Sequence, residues 1–228
     1  MSVTSFDELQ EQIVSCRRCP RLVAWREQVA REKRAAYRGE EYWGRPVPAF
    51  GDPDARILVV GLAPGAHGAN RTGRMFTGDR SGEWLYRSLH RAGLATQPRS
   101  SSRDDGLTLT GALVTAALRC APPANRPTPE ERDTCRPWLE AELELLPRIE
   151  IVALGQLAWS QILRILGDRG LSLPRPRPRF RHLAEAPLEG GPVVLGSYHP
   201  SQQNTFTGKL TEKMFDAVWS RAQALAKS

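Results

Sequence analysis

Apolar residues along this chain fall into short continuous runs separated by segments with helical spacing. The runs predict four buried strands, at residues 56–60, 108–118, 149–154 and 191–196. Segments with apolar positions at a period of three to four predict helices, at residues 5–15, 21–36, 80–93, 128–146, 155–166 and 209–226. The repeated order of strand, loop and helix is typical of an α/β fold, with a mainly parallel sheet covered by helices on both faces.

The loop after the first predicted strand, residues 61–79, is the most informative segment. Its sequence, GLAPGAHGANRTGRMFTGD, contains five glycines. It is far longer than the about two to six residues of an ordinary strand-to-helix connection. Glycines let a main chain approach a ligand closely, and open α/β sheets bind ligands at the carboxyl ends of their strands. We therefore interpret this segment as a ligand-binding loop.

Size and charge limit the classes of protein to which the chain can belong. A chain of 228 residues suits one α/β domain, which we expect to span 1–228. No run approaches the about 20 apolar residues of a membrane helix, and the N-terminus lacks the apolar core of a signal peptide. With 32 Lys and Arg against 25 Asp and Glu, the net charge is +7. This excess favours a polyanionic partner such as nucleic acid, although many basic proteins bind none.

The four cysteines indicate a metal site. Cys16 and Cys19 form a C-x2-C pair, and Cys120 and Cys135 follow about 100 residues later. In a reducing cytosol such a pair suits metal thiolates better than a disulfide, and a thioredoxin-like redox pair would follow a strand directly. If all four converge, they would clamp residues 1–55 onto the rest of the domain. Zinc and an iron–sulfur cubane both accept four thiolates. Alternatively, the later two cysteines are small buried hydrophobic residues.

Three segments and the cysteines together resemble the uracil-DNA glycosylase superfamily, specifically its family 5. The segments are GLAPG at 61–65 continuing to Asp79, RCAPP at 119–123 with Asn125, and SYHPS at 197–201 with the following QQN. The resemblance implies a three-layer α/β/α sandwich with a central, mainly parallel four-stranded sheet. It also implies a [4Fe-4S] cluster on the four cysteines, with zinc as the alternative. The implied activity is hydrolysis of the N-glycosidic bond of uracil, and of other deaminated bases such as hypoxanthine, in DNA.

The same resemblance suggests which side chains act on the bond. Other families of the superfamily place an acidic or amide residue early in the first loop, where this chain has Leu62 and Ala63, and family 5 also lacks it. The matching catalytic candidates here are Asp79, Asn125 and His199. His199 would donate to the uracil oxygen, and Asp79 would stabilise the oxocarbenium-like sugar or orient a water. Asn125 would position that water or contact the base.

Substrate contacts follow from the need to extrude a base from the duplex. Phe76 is the candidate for stacking on the base, and the backbone of residues 61–65, including Gly61, Ala63 and Gly65, would form the pocket floor. The segment 201–204, beginning with Ser201 and Gln202, would press on the gap left in the DNA. The basic residues Arg71, Arg74, Arg119, Arg126 and Lys209 could contact phosphates, although any one such residue is more often a solvated surface charge.

Each of these side chains also has a structural interpretation. Asp79 is placed to cap the helix after it, Phe76 could anchor its loop in the core, and Asn125 and His199 could be ordinary turn residues. His67 could contact the substrate or be a solvated loop histidine.

Other functions remain open at the level of sequence. No convincing buried lysine nucleophile is present, which favours a monofunctional enzyme that leaves an abasic site. The alternatives are a glycosylase for mismatched thymine or hypoxanthine, and a metal-stabilised nucleic-acid-binding module that cleaves nothing. We expect a monomer whose partner is double- or single-stranded DNA, with no membrane association and a cytoplasmic, nucleoid-associated location.

Overall fold

A computed structural model describes residues 5–147 and 149–227. In these residues a six-stranded sheet has the order β1-β3-β2-β4-β6-β5. The strands are β1 (Phe50–Gly51), β2 (Ile57–Gly61), β3 (Ala112–Ala116), β4 (Glu150–Leu154), β5 (Glu185–Pro187) and β6 (Val193–Ser197). The four inner strands are parallel, as predicted, whereas β1 and β5 pair antiparallel at the two edges. The sheet is therefore larger than the predicted four strands, because two short edge strands extend it.

Helices pack on the two faces of this sheet, beside it and in the loops at the ends of its strands. They are α1 (Phe6–Val14), α2 (Pro20–Glu32), α3 (Ala69–Thr72), α4 (Arg80–Arg91), α5 (Pro129–Leu145), α6 (Gln156–Asp168), α7 (Gln202–Phe206) and α8 (Glu212–Leu225). Alternate residues of β2 point to opposite faces, so Val59 packs with α4 and α8 while Leu58 packs with α5 and α6. This arrangement confirms the three-layer α/β/α fold. No helix in the described part of the chain is both long and apolar enough to cross a bilayer.

The N-terminal helices pack beside the sheet rather than on it. Leu9 and Ile13 of α1 and Leu22 of α2 belong to one buried cluster with Cys120 and Cys135. Leu62 and Ala63, at the start of the glycine-rich loop, are partly buried against the same cluster. The cysteine-bearing segments therefore contact the base of that loop directly.

Several boundaries differ from the sequence prediction for local reasons. The strand β3 is shorter than the predicted 108–118, because Gly111 precedes it with a φ of 70°. Helix α2 ends at Glu32 rather than near 36, where Lys33 has a φ of 54°. Helix α5 begins as predicted, with Thr128 and Glu131 forming a capping box.

One buried ion pair joins the sheet to α5. Arg119 is 1% exposed, and its guanidinium lies 2.5 Å from the carboxylate of Glu142, which is fully buried. Thr115 on β3 contacts both partners through its hydroxyl. The expected phosphate contact for Arg119 is therefore wrong, since its charge is neutralised in the interior.

Replacing Glu142 with alanine should lower the free energy of unfolding by about 3–5 kcal/mol, because the Arg119 guanidinium would remain buried without its carboxylate. Urea unfolding followed by circular dichroism measures this loss. As a control, Asp133→Ala removes the exposed 2.8 Å ion pair with Arg164. That variant should lose less than about 1 kcal/mol. Equal losses in the two variants would contradict the assignment.

Candidate active site

The loops that follow β2, β3 and β6 meet at the carboxyl edge of the sheet and enclose a cavity of about 410 Å³. Eight residues predicted from sequence line it: Ala63, Gly65, Phe76, Asp79, Asn125, His199, Ser201 and Gln202. Leu62 and Pro64 also line it and belong to the predicted floor, residues 61–65. Three further lining residues were not predicted: Met75, Arg80 and Ser81. The three loops thus bring nearly the whole predicted set into one place.

Gly61 contributes to this cavity indirectly. A Cβ built on Gly61 would lie 2.7 Å from the ring of Phe76, so the missing side chain makes room for that ring. Phe76 adopts a φ of 52°, and its ring centroid lies 5.9 Å from that of His199 at an interplanar angle of 32°. The ring is half-buried. Phe76 therefore anchors the loop on β2 while it also lines the cavity, so the two interpretations of this residue are compatible.

Asp79 caps the helix after it and also lines the cavity. Its Oδ1 accepts a hydrogen bond from the backbone N–H of Gly82 at 3.0 Å, which caps α4. A Cβ on Gly68 would clash with the other carboxylate oxygen, so the loop approaches Asp79 closely only because glycine stands there. Burial raises the pKa of Asp79, although the backbone N–H groups of Gly82 and Ser81 oppose this shift.

His199 presents an imidazole to the cavity. Asn204 donates to the backbone carbonyl of His199 at 2.9 Å, which fixes the loop. Within the described residues the ring itself makes no hydrogen bond, so it caps no turn there. Burial lowers the pKa of His199 to about 4. At neutral pH the ring is therefore uncharged, with one nitrogen able to donate and the other able to accept.

Asn125 lies at the exposed end of the cavity. It closes a short 3₁₀ helix, Pro123–Asn125, with a φ of 56°, and its backbone N–H donates to the carbonyl of Pro122 at 3.1 Å. Asparagine tolerates this left-handed conformation better than most residues. Its side chain is free to reach a ligand, so Asn125 is both a turn residue and part of the cavity wall.

The helix α7, which the sequence did not predict, forms a further part of the cavity wall. Ser201 caps the helix by accepting from the N–H of Asn204 at 3.3 Å, and Gln202, its first residue, is exposed. At its end Phe206 is 64% exposed, with the guanidinium carbon of Arg80 4.7 Å from its ring centroid. A lone aromatic residue in a polar segment was the available signal for Phe206.

Two of the predicted phosphate contacts are wrong because their charges are engaged inside the protein. Arg71 is buried, pairs with Glu40 and donates to the carbonyl of His67 at 2.8 Å. Arg74 is buried and pairs with Asp105 at 2.7 Å. Both arginines instead hold the glycine-rich loop in shape.

The other two basic candidates for phosphate contacts lie on the surface. His67, the other candidate for a substrate contact, lies outside the cavity. Arg126 and Lys209 are exposed. His67 is not part of the cavity wall, and its Nδ1 lies 3.1 Å from the hydroxyl of Tyr42. Burial, together with the nearby charges of Arg34 and Arg71, lowers the pKa of His67. The loop position of His67 thus serves packing and not the cavity.

The four cysteines line one small cavity behind the glycine-rich loop, and no disulfide joins any two of them. In residues 5–147 and 149–227, no three His, Cys, Asp or Glu side chains are positioned to hold a single metal ion between them. Burial raises the pKa of Cys120 to about 11 and that of Cys135 to about 12. These thiols would therefore stay protonated at neutral pH unless a cation displaced the protons.

A buried arginine beside the cysteines points to negative charge in this cavity. Arg26 is 2% exposed and donates to the sulfur of Cys120 at 3.0 Å and to the carbonyl of Cys16 at 3.3 Å. Its carboxylate partner, Glu27, lies 3.9 Å away, and its Nε has no hydrogen-bond partner among the described residues. The backbone N–H of Arg119 donates to the sulfur of Cys135 at 3.3 Å. Metal-bound thiolates would supply the charge that a buried guanidinium requires, so the donor set fits a thiolate-held group.

A known protein family matches the part of the chain that forms this cavity. The model of the uracil DNA glycosylase superfamily matches residues 48–223. The chain belongs to this superfamily. The matched region contains all three loops of the cavity and two of the four cysteines.

Relatives within the superfamily place the chain more narrowly. It is 57% identical over 215 residues to a Type-5 uracil-DNA glycosylase of Thermus thermophilus, covering 94% of this chain and 95% of that protein. It is 54% identical over 224 residues to a Type-5 uracil-DNA glycosylase of Mycobacterium tuberculosis, covering 97% of this chain and 82% of that protein. A Type-4 uracil-DNA glycosylase of Thermotoga maritima is 32% identical over 154 residues, covering 66% of this chain and 67% of that protein. The resemblance to family 5 is thereby confirmed.

The buried imidazole of His199 should make stability depend on pH. Its folded pKa of about 4 lies below the ordinary 6.5. Between these values the unfolded chain binds a proton that the folded chain does not, so the free energy of unfolding falls as the pH is lowered. The loss due to this group should reach about 2–3 kcal/mol near pH 4.5.

Urea unfolding at pH 7 and pH 4.5 tests this expectation. His199→Gln should lose less stability between the two pH values than the wild type does, because it lacks the titrating ring. His90→Gln, at an exposed position on α4, is the matched control and should behave like the wild type. An identical pH dependence in all three proteins would show that His199 is not the group responsible.

Proposed function

We propose that this chain is a monofunctional uracil-DNA glycosylase that hydrolyses the N-glycosidic bond of uracil in DNA and leaves an abasic site. The observation that carries this proposal is the convergence of Phe76, Asp79, Asn125 and His199 on one cavity at the carboxyl edge of the sheet. Membership of the superfamily and the names of the type-5 relatives support the same activity.

The cavity suits a flipped base. In this proposal uracil leaves the duplex and stacks on the half-buried ring of Phe76, while the main chain around Ala63 and Gly65 forms the floor. The surrounding protein excludes water, which strengthens any hydrogen bond made there. Outside the cavity, α7 would fill the gap that the base leaves, with Ser201 and Gln202 at the mouth. The exposed ring of Phe206 at the end of α7 is suited to contact the neighbouring bases.

His199 would assist the departure of the base. When the bond between C1′ and N1 breaks, both electrons leave with uracil, and negative charge develops on its oxygens. An uncharged imidazole that donates a hydrogen bond to one oxygen stabilises this charge in a dry site. The lowered pKa of His199 keeps the ring in that uncharged form across the neutral range.

Asp79 and Asn125 would serve the sugar and the attacking water. The sugar gains positive charge as uracil leaves, and a carboxylate beside it stabilises that charge or orients a water toward C1′. The N-terminus of α4, through the N–H groups of Gly82 and Ser81, supports the ionised form of Asp79. The water adds its hydroxyl to C1′, and its proton balances the charge on the departing uracil. Asn125 at the cavity mouth would hold that water or contact the base.

We also propose finer features of the substrate and its setting. Hypoxanthine and other deaminated bases would enter the same cavity, because main chain and a stacking ring form much of its wall. Double- and single-stranded DNA would both serve, with the protein acting as a monomer. Action on chromosomal DNA would associate the protein with the nucleoid in the cytoplasm.

For the cysteine cavity we propose a [4Fe-4S] cluster held by Cys16, Cys19, Cys120 and Cys135, with zinc as the alternative. The four thiols surround one cavity, and Arg26 and the Arg119 amide donate to two of the sulfurs. N–H donors to sulfur are a common feature of cluster sites. A bound cluster would join α1 and α2 to the start of α5. It would thereby clamp residues 1–55 onto the domain, of which residues 1–4 lie outside those described.

The activity is tested with a uracil-containing oligonucleotide and alkaline scission of abasic sites. Asp79→Ala and His199→Ala should each lower the single-turnover cleavage rate by about 100-fold or more, because each removes a group that acts on the transition state. Affinity for a duplex with a tetrahydrofuran abasic analogue should change much less. Equal loss of cleavage and binding would make these residues structural.

Matched controls and substrates complete this test. Thr211→Ala removes the N-cap of α8 as Asp79→Ala removes that of α4, so it should reproduce any loss of stability without loss of cleavage. Uracil, hypoxanthine and mismatched thymine are compared in double- and single-stranded DNA. If the wild type produces no abasic sites at high enzyme concentration, the chain is a binding module and the proposed activity is wrong.

The metal proposal has its own readout. The purified protein should be brown and contain about four iron atoms per chain. Cys135→Ser should lose both colour and iron, because no other cysteine can replace the missing thiolate. Metal analysis and visible absorption check this. A colourless protein with stoichiometric zinc would contradict the cluster and favour the alternative.

A further inference from the structure

Four arginines alternate with other residues just before β5 and have no acidic partner in the described part of the chain. Arg175, Arg177, Arg179 and Arg181 are all exposed, and none forms a side-chain hydrogen bond or an ion pair with the described residues. Some other exposed arginines are paired with carboxylates. Arg91 and Arg221, for example, bind carboxylates at 2.7 Å. The segment 175–181 is therefore an uncompensated positive surface.

The sheet topology places this surface at the carboxyl ends of the parallel strands, where the cavity also lies. β5 runs antiparallel to β6, so the chain that enters β5 lies beside the carboxyl end of β6. The N–H of Leu183 donates to the carbonyl of Gly196 at 2.8 Å, which fixes that entry. The segment thus reaches the end of β6 from which His199 follows.

A contact between rings attaches the segment to the loop that carries His199. The centroid of the Phe180 ring lies 6.1 Å from that of Trp159 on α6 and 6.2 Å from that of Tyr198, the neighbour of His199. The Nζ of Lys209 also lies 5.0 Å from the ring centroid of Tyr198. Proline fixes φ and keeps the preceding residue extended, so Pro178 stiffens the backbone between Arg177 and Arg179. Their charges are therefore presented from a fixed backbone.

We propose that residues 175–181 form a binding surface for the phosphate backbone of DNA beside the active-site cavity. This proposal rests on the proposed function, because the DNA bound by this surface would be the substrate whose base enters the cavity. The surface flanks the cavity on the side of β6, whereas Arg126 lies in the loop after β3. In the sheet, β3 and β6 are separated by three inter-strand distances, or about 14 Å. One DNA strand places about four phosphates in that distance along its axis.

Arginine side chains suit this role. The guanidinium forms bidentate contacts with phosphate, and each contact releases condensed counterions from the DNA. The surface would hold the strand without reading its sequence, since phosphate contacts carry no base information. It would thereby fix the position of the DNA while the base is extruded into the cavity.

The test compares the salt dependence of DNA binding in two charge-matched variants. The first is Arg177→Gln with Arg179→Gln. The control is Arg56→Gln with Arg169→Gln. This variant removes two exposed arginines near the amino ends of the parallel strands, away from the cavity. Affinity for a fluorescent duplex containing a tetrahydrofuran abasic analogue is measured by anisotropy between about 50 and 200 mM salt, a range over which phosphate contacts weaken strongly.

In the first variant, the slope of log affinity against log salt should fall by about two, one for each lost phosphate contact. Over the chosen range, the wild type would then lose roughly tenfold more affinity than this variant. The control variant should keep the wild-type slope, and the cleavage rate at saturating enzyme should stay within about twofold of wild type in both. An unchanged slope in the first variant, or an equal change in both, would overturn the proposal.

The two proposals fail separately. Normal cleavage of uracil with an unchanged salt slope would refute the binding surface and leave the enzyme activity intact. A changed slope in a protein that produces no abasic sites would support the surface and refute the enzyme activity.

Discussion

The chemistry available to this protein depends on the parallel pairing of β2, β3, β4 and β6. Parallel strands release their following loops at one edge, and here the loops after β2, β3 and β6 meet there. Segments separated by more than 100 residues in sequence thereby share one cavity. The helices on the two faces hold the strands in register, and the antiparallel edge strands extend the sheet without contributing to the cavity wall. The site is consequently a property of the topology as much as of any one residue.

Burial shapes the two ionisable groups of this site in a consistent way. It raises the pKa of Asp79 and lowers that of His199, so in both cases it favours the uncharged form. Only Asp79 has backbone N–H groups that oppose this effect, because it caps α4. The helix cap and the proposed catalytic role therefore require the same geometry. A residue with a structural role, such as a helix cap, can therefore also line the cavity. Phe76, which anchors its loop, and Asn125, which forms a turn, do the same.

Sequence predicted the inner strands, the long helices and most of the cavity, because these depend on local periodicity and on loops at strand ends. It missed β1, β5, α3 and α7, which have two, three, four and five residues and are too short for a periodic signal. It also misplaced Arg71, Arg74 and Arg119. Each is neutralised by a carboxylate more than 20 residues away, on Glu40, Asp105 and Glu142. A basic residue has the same appearance in sequence whether its partner is phosphate or a buried carboxylate.

The position of Arg26 has a consequence for how the molecule assembles. Docking α2 buries a guanidinium against Cys120, and neutral thiols cannot offset its charge. A metal group bound by thiolates would offset it, so the packing of the N-terminal helices and the loading of the cysteine cavity would be one thermodynamic event. Asn70 extends this coupling to the glycine-rich loop, since its amide donates to the carbonyls of Arg26 and Ala66. An unloaded chain would then be expected to have both a looser N-terminus and a less ordered base-binding loop.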